Sequence, residues 1–289
     1  MTQMDYVTLA SGLPPSSRLG FGCGSVMGRV GRAQSLRAIK LALDAGITHF
    51  DVARSYGYGE AEALIGEALR DKRDKVVIAS KFGLNPPRSV GALKALKPIA
   101  QQVAATIPGA RGVLRSLVGG ADHAPDRFSV AAAETSLNQS LAALGTDYID
   151  ILFLHDCTAD DFTTDLALFL ARQVAAGKIR AYGVASGIDA VAAIHQAQGG
   201  RLIYQFANSI TARNAERLAG SGCRIVAHSP FLGAETLRGT DVHNTMLDHA
   251  LNAAGVDVVL CSMLDEAHLR ANIDIVERHF EAEHPAPAA

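Results

Sequence analysis

Residues 48–69, THFDVARSYGYGEAEALIGEAL, begin as an apolar, strand-like run and end as an amphipathic helical pattern. The joint between the two patterns carries Asp51, Arg54, Tyr56 and Tyr58 among glycines. A strand followed by a helix is part of a βαβ unit, in which helical crossovers join parallel strands. The stretch therefore predicts a parallel sheet, with a carboxylate and a phenol placed where one of its strands ends.

The same alternation of a short strand and a longer helix recurs almost to the end of the chain. Several of the helical patterns start with Ser, Thr or Asp, which are good N-cap residues for the open amides of a first turn. The helical patterns begin at Gln34, Glu60, Ser129, Thr163, Asp189, Thr211, Asp241 and Asp265.

Eight strand–helix units are the number that closes a (β/α)8 barrel. A short hairpin is predicted in front of them, over YVTLASGLPPSSRLG. The prediction is an α/β fold, a TIM barrel forming a single domain over residues 1–289, with a long insertion after the third strand. The predicted strands are LGFGCG, ITHFDVA, VVIASKF, YIDILFLH, KIRAYGVAS, LIYQFA, CRIVAHSP and VDVVLCSM.

An open, doubly wound sheet is the alternative architecture. Its dinucleotide-binding form requires G-x-G-x-x-G after the first strand. The chain has Gly20 and Gly22 there, but Ser25 stands where the third glycine belongs. This mismatch favours the barrel.

The insertion between residues 85 and 127 separates the third strand from its helix. A connection of this length in a compact fold is usually functional or mobile. It leaves the carboxyl end of a strand, so it could form a lid over an active site, and a solvated helical excursion is the equal alternative. Its basic residues are Arg88, Lys94, Lys97, Arg111 and Arg115.

Composition narrows the classes of function. The 289 residues carry a net charge of −2, which gives no support for binding to nucleic acid or to an anionic membrane. The four cysteines lie far apart without a CxxC pair, which argues against a metal site and fits a reducing compartment. No signal peptide and no apolar run of about 18 residues is visible, so a cytoplasmic protein is predicted.

Four polar side chains follow three consecutive predicted strands. Asp51 and Tyr56 come after the second strand, Lys81 after the third, and His155 after the fourth. Catalytic groups in a barrel project from the carboxyl ends of the strands and the loops that follow. Each residue alone has a structural explanation, but the set predicts one reactive sector at the barrel mouth.

These four side chains suit proton transfer to a carbonyl oxygen. A tyrosine with a pKa near roughly 10 is a weak acid, and a neighbouring cation such as Lys81 is expected to lower that pKa. Asp51 would hold the lysine charged, and a neutral His155 would hydrogen-bond the substrate oxygen. None of the four can supply a hydride, so a nicotinamide cofactor is required.

With these segments together, the sequence resembles the aldo-keto reductases over nearly its whole length. The resemblance implies a (β/α)8 barrel, an NAD(P)H cofactor and a catalytic tetrad, which matches Asp51, Tyr56, Lys81 and His155. It makes Tyr56 the proton donor and Asp51 the partner of Lys81. The segments that carry it are FDVARSYGYGEAEALIGEAL, VVIASKFG, LGTDYIDILFLHDC, GKIRAYGVAS and RIVAHSPFLG.

The same resemblance implies a set of cofactor contacts at the ends of the later strands. Gly187 replaces the asparagine that usually follows Ser186, and a histidine replaces the usual aromatic residue before Ser-Pro. The implied cofactor-binding residues are Ser186, Gln205, His228, Ser229 and Asn272.

Two departures from the family predict weak or NAD-leaning cofactor binding. Only about a dozen residues follow Pro230 before the next helical pattern, where the family has a long loop over the pyrophosphate. After the eighth strand, Asp265, Glu266 and His268 occupy a segment that is often basic, with Arg270 close by. A 2′-phosphate is bound best by a guanidinium, and acidic neighbours disfavour it.

Three functions follow from these residues. The first is a carbonyl reductase or alcohol dehydrogenase acting on an aldehyde, ketone or sugar, because ARSYGYGEAE is similar to the aldose-oxidising branch. The second is a non-catalytic or cofactor-poor barrel used for binding or regulation, and the third is a lyase or dehydratase that needs no nicotinamide. Met27, Arg54 and Tyr58 are candidate lining residues that could equally pack the loop. The oligomeric state is not predicted.

Overall fold

The computed structural model describes residues 4–86, 126–199, 202–239 and 241–283. Most of the predicted insertion between residues 85 and 127, with all five of its basic side chains, lies outside the described residues. Whether this insertion covers the barrel mouth therefore stays a prediction, as does the assignment of residues 1–289 to a single domain.

The predicted hairpin and barrel are both confirmed. Two short antiparallel strands, β1 (Tyr6–Val7) and β2 (Ser16–Ser17), precede the barrel. Eight parallel strands within the described residues then close into a ring, which excludes the open doubly wound sheet. They are β3 (Leu19–Gly22), β4 (His49–Asp51), β5 (Val77–Phe82), β6 (Ile149–His155), β7 (Ile179–Ala185), β8 (Ile203–Ala207), β9 (Arg224–His228) and β10 (Val256–Cys261).

Helices surround the ring, and some of them begin at capping residues that the sequence indicates. The Ser129 and Thr163 side chains accept hydrogen bonds from the Ala132 and Leu166 amides, as N-caps do. Among the described residues, no helix is both long enough and apolar enough to cross a membrane. The helices are α1 (Arg32–Asp44), α2 (Ala61–Leu69), α3 (Val130–Leu144), α4 (Thr164–Ala175), α5 (Ile188–Gln198), α6 (Val242–Asn252) and α7 (Glu266–Glu283).

The helix predicted from Thr211 is wrong. The chain forms only a 3₁₀ helix over Asn214–Leu218 between β8 and β9. The Ser209 hydroxyl accepts from the Thr211 and Ala212 amides, which holds the start of the segment in a turn. Gly220 and Gly222, both with positive φ, end it a few residues later. Polar turn residues and glycines therefore leave no room for an α-helix.

The hairpin closes the amino-terminal end of the barrel. Leu9 and Leu13 lie in the connection between β1 and β2. They pack in one buried cluster with Val77 and Ile203, which are the first residues of β5 and β8. Burial of apolar side chains is the main stabilising contribution at this end. This packing fills the amino-terminal end of the barrel, whereas the polar residues lie at the carboxyl ends of the strands.

Candidate active site

A cavity of about 810 Å³ opens at the carboxyl ends of the barrel strands. This volume lies in the range of pockets that hold small molecules and cofactors, roughly 300–1,000 Å³. The four residues predicted at the strand ends, Asp51, Tyr56, Lys81 and His155, all line it. The fold thus brings together side chains that are as far apart in the sequence as Asp51 and His155.

A buried ion pair between Asp51 and Lys81 lies at the base of the cavity, next to Tyr56. Lys81 Nζ donates to Asp51 Oδ1 and to the Val52 carbonyl oxygen at 3.1 Å. The two residues are 4% and 2% exposed. Burial acts to lower the pKa of Lys81, but the Asp51 carboxylate and Tyr56 outweigh it, so this pKa lies above its ordinary value. Lys81 is therefore a permanent cation beneath the cavity.

A hydrogen bond across the barrel holds the second oxygen of Asp51. Gln205 Nε2, on β8, donates to Asp51 Oδ2 at 2.7 Å. The sequence predicts only a cofactor contact for Gln205 and gives no sign of this bond. The two residues are 154 positions apart, and only closure of the barrel reveals that they meet. Both oxygens of the carboxylate are thus fixed from opposite walls.

Tyr56 lies above the lysine and beside the histidine. Its ring centroid is 4.9 Å from Lys81 Nζ and 6.0 Å from the His155 ring, which it meets edge to face at 85°. Burial raises the pKa of Tyr56. Lys81 lowers this pKa as expected, but the net shift is upward, opposite to the expectation. Tyr56 is therefore a protonated donor at neutral pH.

His155 is held neutral. Burial lowers its pKa to about 3, with a further lowering by Lys81. Its Nδ1 is buried and has no hydrogen-bond partner in the part of the chain that the structure describes. A neutral imidazole keeps one donor and one acceptor, so His155 can hydrogen-bond a ligand in the cavity without adding charge.

The loop that presents Tyr56 has an unusual backbone. Gly57 and Tyr58 both adopt left-handed dihedrals, with φ of 58° and 59°. A Cβ at Gly57 would lie 2.6 Å from the Val26 carbonyl oxygen, so only glycine fits against the loop after β3. This tight turn over Tyr56–Gly59 leads directly into α2.

Four of the five residues implied for cofactor binding line the same cavity. They are Ser186, Gln205, His228 and Ser229. The Ser186 hydroxyl donates to the Cys157 carbonyl oxygen at 2.6 Å, and His228 Nδ1 lies 2.9 Å from Ser229 Oγ. Burial lowers the pKa of His228, so its ring is neutral too.

The structure does not bring Asn272 to the cavity. Asn272 is 2% exposed, and its Oδ1 lies 2.8 Å from His243 Nε2 on α6. The His243 ring in turn stacks on Phe231, with centroids 4.5 Å apart at 15°. Phe231 lines the cavity, so it stands between that space and the Asn272–His243 pair. Packing of α6 against α7 determined this contact, and the sequence carries no direct sign of it.

The charged groups at the start of α7 are bonded to one another. Asp265 Oδ1 accepts from the Ala267 and His268 amides at 2.9 and 3.2 Å. Arg270 donates to Glu266 Oε1 from both Nε and Nη2, at 3.1 and 2.7 Å. The first-turn amides and the guanidinium therefore already have anionic partners within the chain.

Three residues predicted as candidates to line the cavity lie outside its described wall. Among the described residues, the wall contains none of Met27, Arg54 and Tyr58. It does contain Ser25 and Asp156, which add polar groups near the tetrad. The described part of the chain also has no group of three or more His, Cys, Asp or Glu side chains that could hold a metal ion.

Comparison with known proteins assigns these features to a family. The family model "Aldo/keto reductase family" matches residues 18–233. Aldo-keto reductase YhdN of Bacillus subtilis is 28% identical over 265 residues, which covers 83% of this chain and 69% of that protein. D-threo-aldose 1-dehydrogenase of a Pseudomonas species is 30% identical over 65% of this chain, and the chain spans about half, 53%, of its length.

A solved structure supports the same fold. An aldo-keto reductase from Bacillus halodurans, in its holo form, superposes with a TM-score of 0.71 and covers 99% of this chain and 98% of that one. The sequence identity is 20%, so this likeness concerns the fold alone.

Proposed function

The chain belongs to the aldo/keto reductase family, and on that premise we propose that Tyr56 is the general acid and base of a carbonyl–alcohol interconversion. Family membership makes the protein an NAD(P)-dependent oxidoreductase. The observation that carries the assignment of Tyr56 is its position over a buried, charged lysine and beside a neutral histidine on one cavity wall. No other group of the tetrad is a neutral acid at that place.

In reduction, the Tyr56 hydroxyl donates its proton to the carbonyl oxygen as negative charge develops there. The Lys81 cation stabilises the phenolate that remains, and Asp51 holds the lysine charged and oriented. His155, neutral because of burial, hydrogen-bonds the substrate oxygen and fixes its place. In oxidation the phenolate takes the proton back, so a raised pKa of Tyr56 favours reduction at neutral pH.

The residues of the cavity suit a nicotinamide at its reactive end. Gln205 uses only its amide nitrogen in holding Asp51, which leaves its carbonyl oxygen as an acceptor. Ser186 and Gln205 would hold the carboxamide, and the neutral His228 ring offers a flat face for the pyridine. When bound, the nicotinamide supplies or accepts the hydride.

The opposite end of the cofactor has weaker support. A 2′-phosphate needs a free guanidinium or free amides, and near the start of α7 these groups are already bonded to Glu266 and Asp265. The proposal is therefore modest affinity, with at most a slight preference for NADPH. These same contacts favour the second candidate, a barrel that binds no nicotinamide.

The substrate class proposed is a small aldehyde, ketone or sugar. Relatives with 28–31% identity include a D-threo-aldose 1-dehydrogenase, an L-glyceraldehyde 3-phosphate reductase and a 6-dehydroglucose reductase. The polar side chains of Ser25 and Asp156 on the cavity wall suit a hydroxylated substrate. The chain has no tryptophan to form an aromatic pocket.

The test is a screen of sugars and aldehydes with NADH, NADPH and their oxidised forms, followed at the nicotinamide absorbance. Turnover that disappears in the Tyr56→Phe variant supports the proposal. Titration of each cofactor separates the candidates, because absence of binding by all four would favour the non-catalytic barrel.

A further inference from the structure

A second buried carboxylate lies outside the cavity, on the first helix after Tyr56. Glu62, on α2, is 2% exposed. Its Oε1 accepts from the Ser80 hydroxyl at 2.6 Å, and its Oε2 lies 3.5 Å from Arg54 Nη1. A buried carboxylate is stabilised only when such donors surround it. The described wall of the cavity does not include Glu62, so its contacts are with the protein alone.

These contacts join the two segments that carry the reactive groups. Arg54 lies in the loop between β4 and α2, two residues before Tyr56. Ser80 lies on β5, next to Lys81. The Glu62 carboxylate therefore links the loop that carries Tyr56 to strand β5, which carries Lys81.

The backbone of the loop that carries Tyr56 needs contacts of this kind to keep its conformation. Tyr58, a residue with a side chain, adopts a φ of 59°, and Gly57 before it a φ of 58°. Left-handed conformations of this kind persist only where the surroundings over-determine them, and they concentrate at functional sites. Arg54 is largely buried, with 15% of its side chain exposed, and this limits how far the loop can move.

We propose that Glu62 is a positioning residue, which acts through Arg54 to hold the Tyr56 hydroxyl at its position near Lys81. This inference rests on the proposed function, in which Tyr56 transfers the proton. A displacement of about 1 Å in a reacting group can lower a rate by roughly 10²-fold. Glu62 contributes to the rate by preventing that displacement, although it contacts neither substrate nor cofactor.

The first test is Glu62→Gln, which retains the shape of the side chain and an oxygen for Ser80 but removes the charge that attracts Arg54. The expected result is a fall in kcat of about 10- to 100-fold with KM and cofactor affinity unchanged within about twofold. Arg54→Met should give a similar fall, Arg54→Lys a smaller one, and the Arg54→Met/Glu62→Gln double variant no further loss.

The effect must also disappear when Tyr56 cannot act. In a Tyr56→Phe background, Glu62→Gln should leave the residual rate unchanged within about twofold, because both changes affect one proton transfer. Equal fold-losses from Glu62→Gln in the two backgrounds would overturn the proposal, because the carboxylate would then act independently of Tyr56.

Asp150 provides a matched control at the other end of the barrel. It is fully buried near the start of β6 and accepts from Arg73, Arg180 and the Ile78 amide at 2.6, 3.0 and 2.9 Å. Asp150→Asn should lower the thermal midpoint at least as much as Glu62→Gln does, with kcat retained within about twofold. If kcat falls equally in both variants, general destabilisation explains the effect and the positioning role is refuted.

Amide hydrogen exchange keeps this inference separate from the proposed function. In Glu62→Gln, peptides covering residues 53–60 should exchange faster than in the wild type, while peptides covering residues 149–155 should not. Unchanged exchange over residues 53–60 would overturn the role of Glu62, whatever the turnover. A wild type that reduces no carbonyl would refute the proposed function, and the exchange result would still decide whether Glu62 holds the loop.

Discussion

The cavity at the strand ends and the start of α7 use their polar groups in opposite ways. At the ends of β4, β5 and β6, the ion pair between Asp51 and Lys81 lies beside Tyr56, which lines the cavity that a ligand would enter. At the start of α7, Arg270 is bonded to Glu266, and Asp265 caps the helix amides. The cavity presents reactive groups to a ligand, whereas the start of α7 bonds its charged groups to each other.

This difference indicates that the chemistry and the anchoring of a cofactor depend on separate parts of the barrel. A proton donor requires a rigid, buried environment, and the contacts of Asp51 on both of its oxygens provide one. Phosphate binding requires free donors at the surface. The tetrad can therefore be complete in a chain whose grip on the outer part of the dinucleotide is weak.

The largest effect should come from Tyr56→Phe. Removal of the proton donor should lower kcat by about 10²- to 10⁴-fold, the usual contribution of general acid catalysis. The fold and the cofactor affinity should stay unchanged, because the ring remains in its place beside His155. Steady-state rates on the best substrate, with the thermal midpoint and a cofactor titration, test this prediction.

Tyr58→Phe is the matched control for that variant. It removes a hydroxyl from the same loop at a residue that does not contribute to the described cavity wall. It should keep the wild-type rate within about twofold. Retention of more than about a third of the wild-type rate by Tyr56→Phe would assign the proton transfer to another group.

Lys81→Met should have the next largest effect, on both rate and pH dependence. The lysine lowers the pKa of Tyr56 against the raising effect of burial, so its removal should raise that pKa further. Oxidation requires the phenolate, and the midpoint of its pH–rate profile should therefore move to higher pH, with a rate loss of about 10²-fold. A slow variant with an unshifted midpoint would contradict this role.

The same substitution should also destabilise the protein, which needs its own control. It leaves the buried Asp51 carboxylate without its cation, at a cost of about 3–5 kcal/mol. The Asp51→Asn/Lys81→Met double variant should recover much of the thermal stability without recovering the rate. Recovery of both would show that Lys81→Met affected the rate through folding alone.

Much of the fold was predictable because periodicity and capping are local signals. Ser129 and Thr163 cap helices where the sequence indicates them, and β6 ends at His155 as predicted. The prediction of a helix from Thr211 was wrong because Ser209 holds the backbone in a turn. Short side-chain contacts of that kind compete with helix propensity and are not visible in periodicity.

The candidate site was predictable where the position along a strand decides the outcome. The barrel topology places Asp51, Lys81 and His155 at one mouth. The bond from Gln205 to Asp51 and the pairing of Asn272 with His243 depend on packing between distant elements. The direction of the pKa shift of Tyr56 depends on burial, which a list of neighbouring charges does not reveal.

A smaller effect is expected in the discrimination between reduced cofactors. NADPH should bind the wild type at most about fivefold more tightly than NADH, because no arginine at the start of α7 is free for the 2′-phosphate. Isothermal titration of both cofactors measures this ratio. A submicromolar dissociation constant for NADPH, with NADH at least about a hundred times weaker, would contradict the proposal that the start of α7 binds phosphate weakly.

The smallest effect should come from releasing Arg270. Glu266→Gln removes the carboxylate that holds the guanidinium, so NADPH affinity should rise about two- to fivefold, the usual scale of an exposed ion pair. The affinity for NADH should not change, because NADH lacks the 2′-phosphate. Asp44→Asn is the control, because it neutralises an exposed carboxylate paired with Lys40 at the end of α1, on the amino-terminal side of the barrel. An equal gain of NADPH affinity in both variants would reflect net charge. A gain in Glu266→Gln that is lost when Arg270→Gln is added would identify the ion pair between Arg270 and Glu266 as the reason for weak phosphate binding.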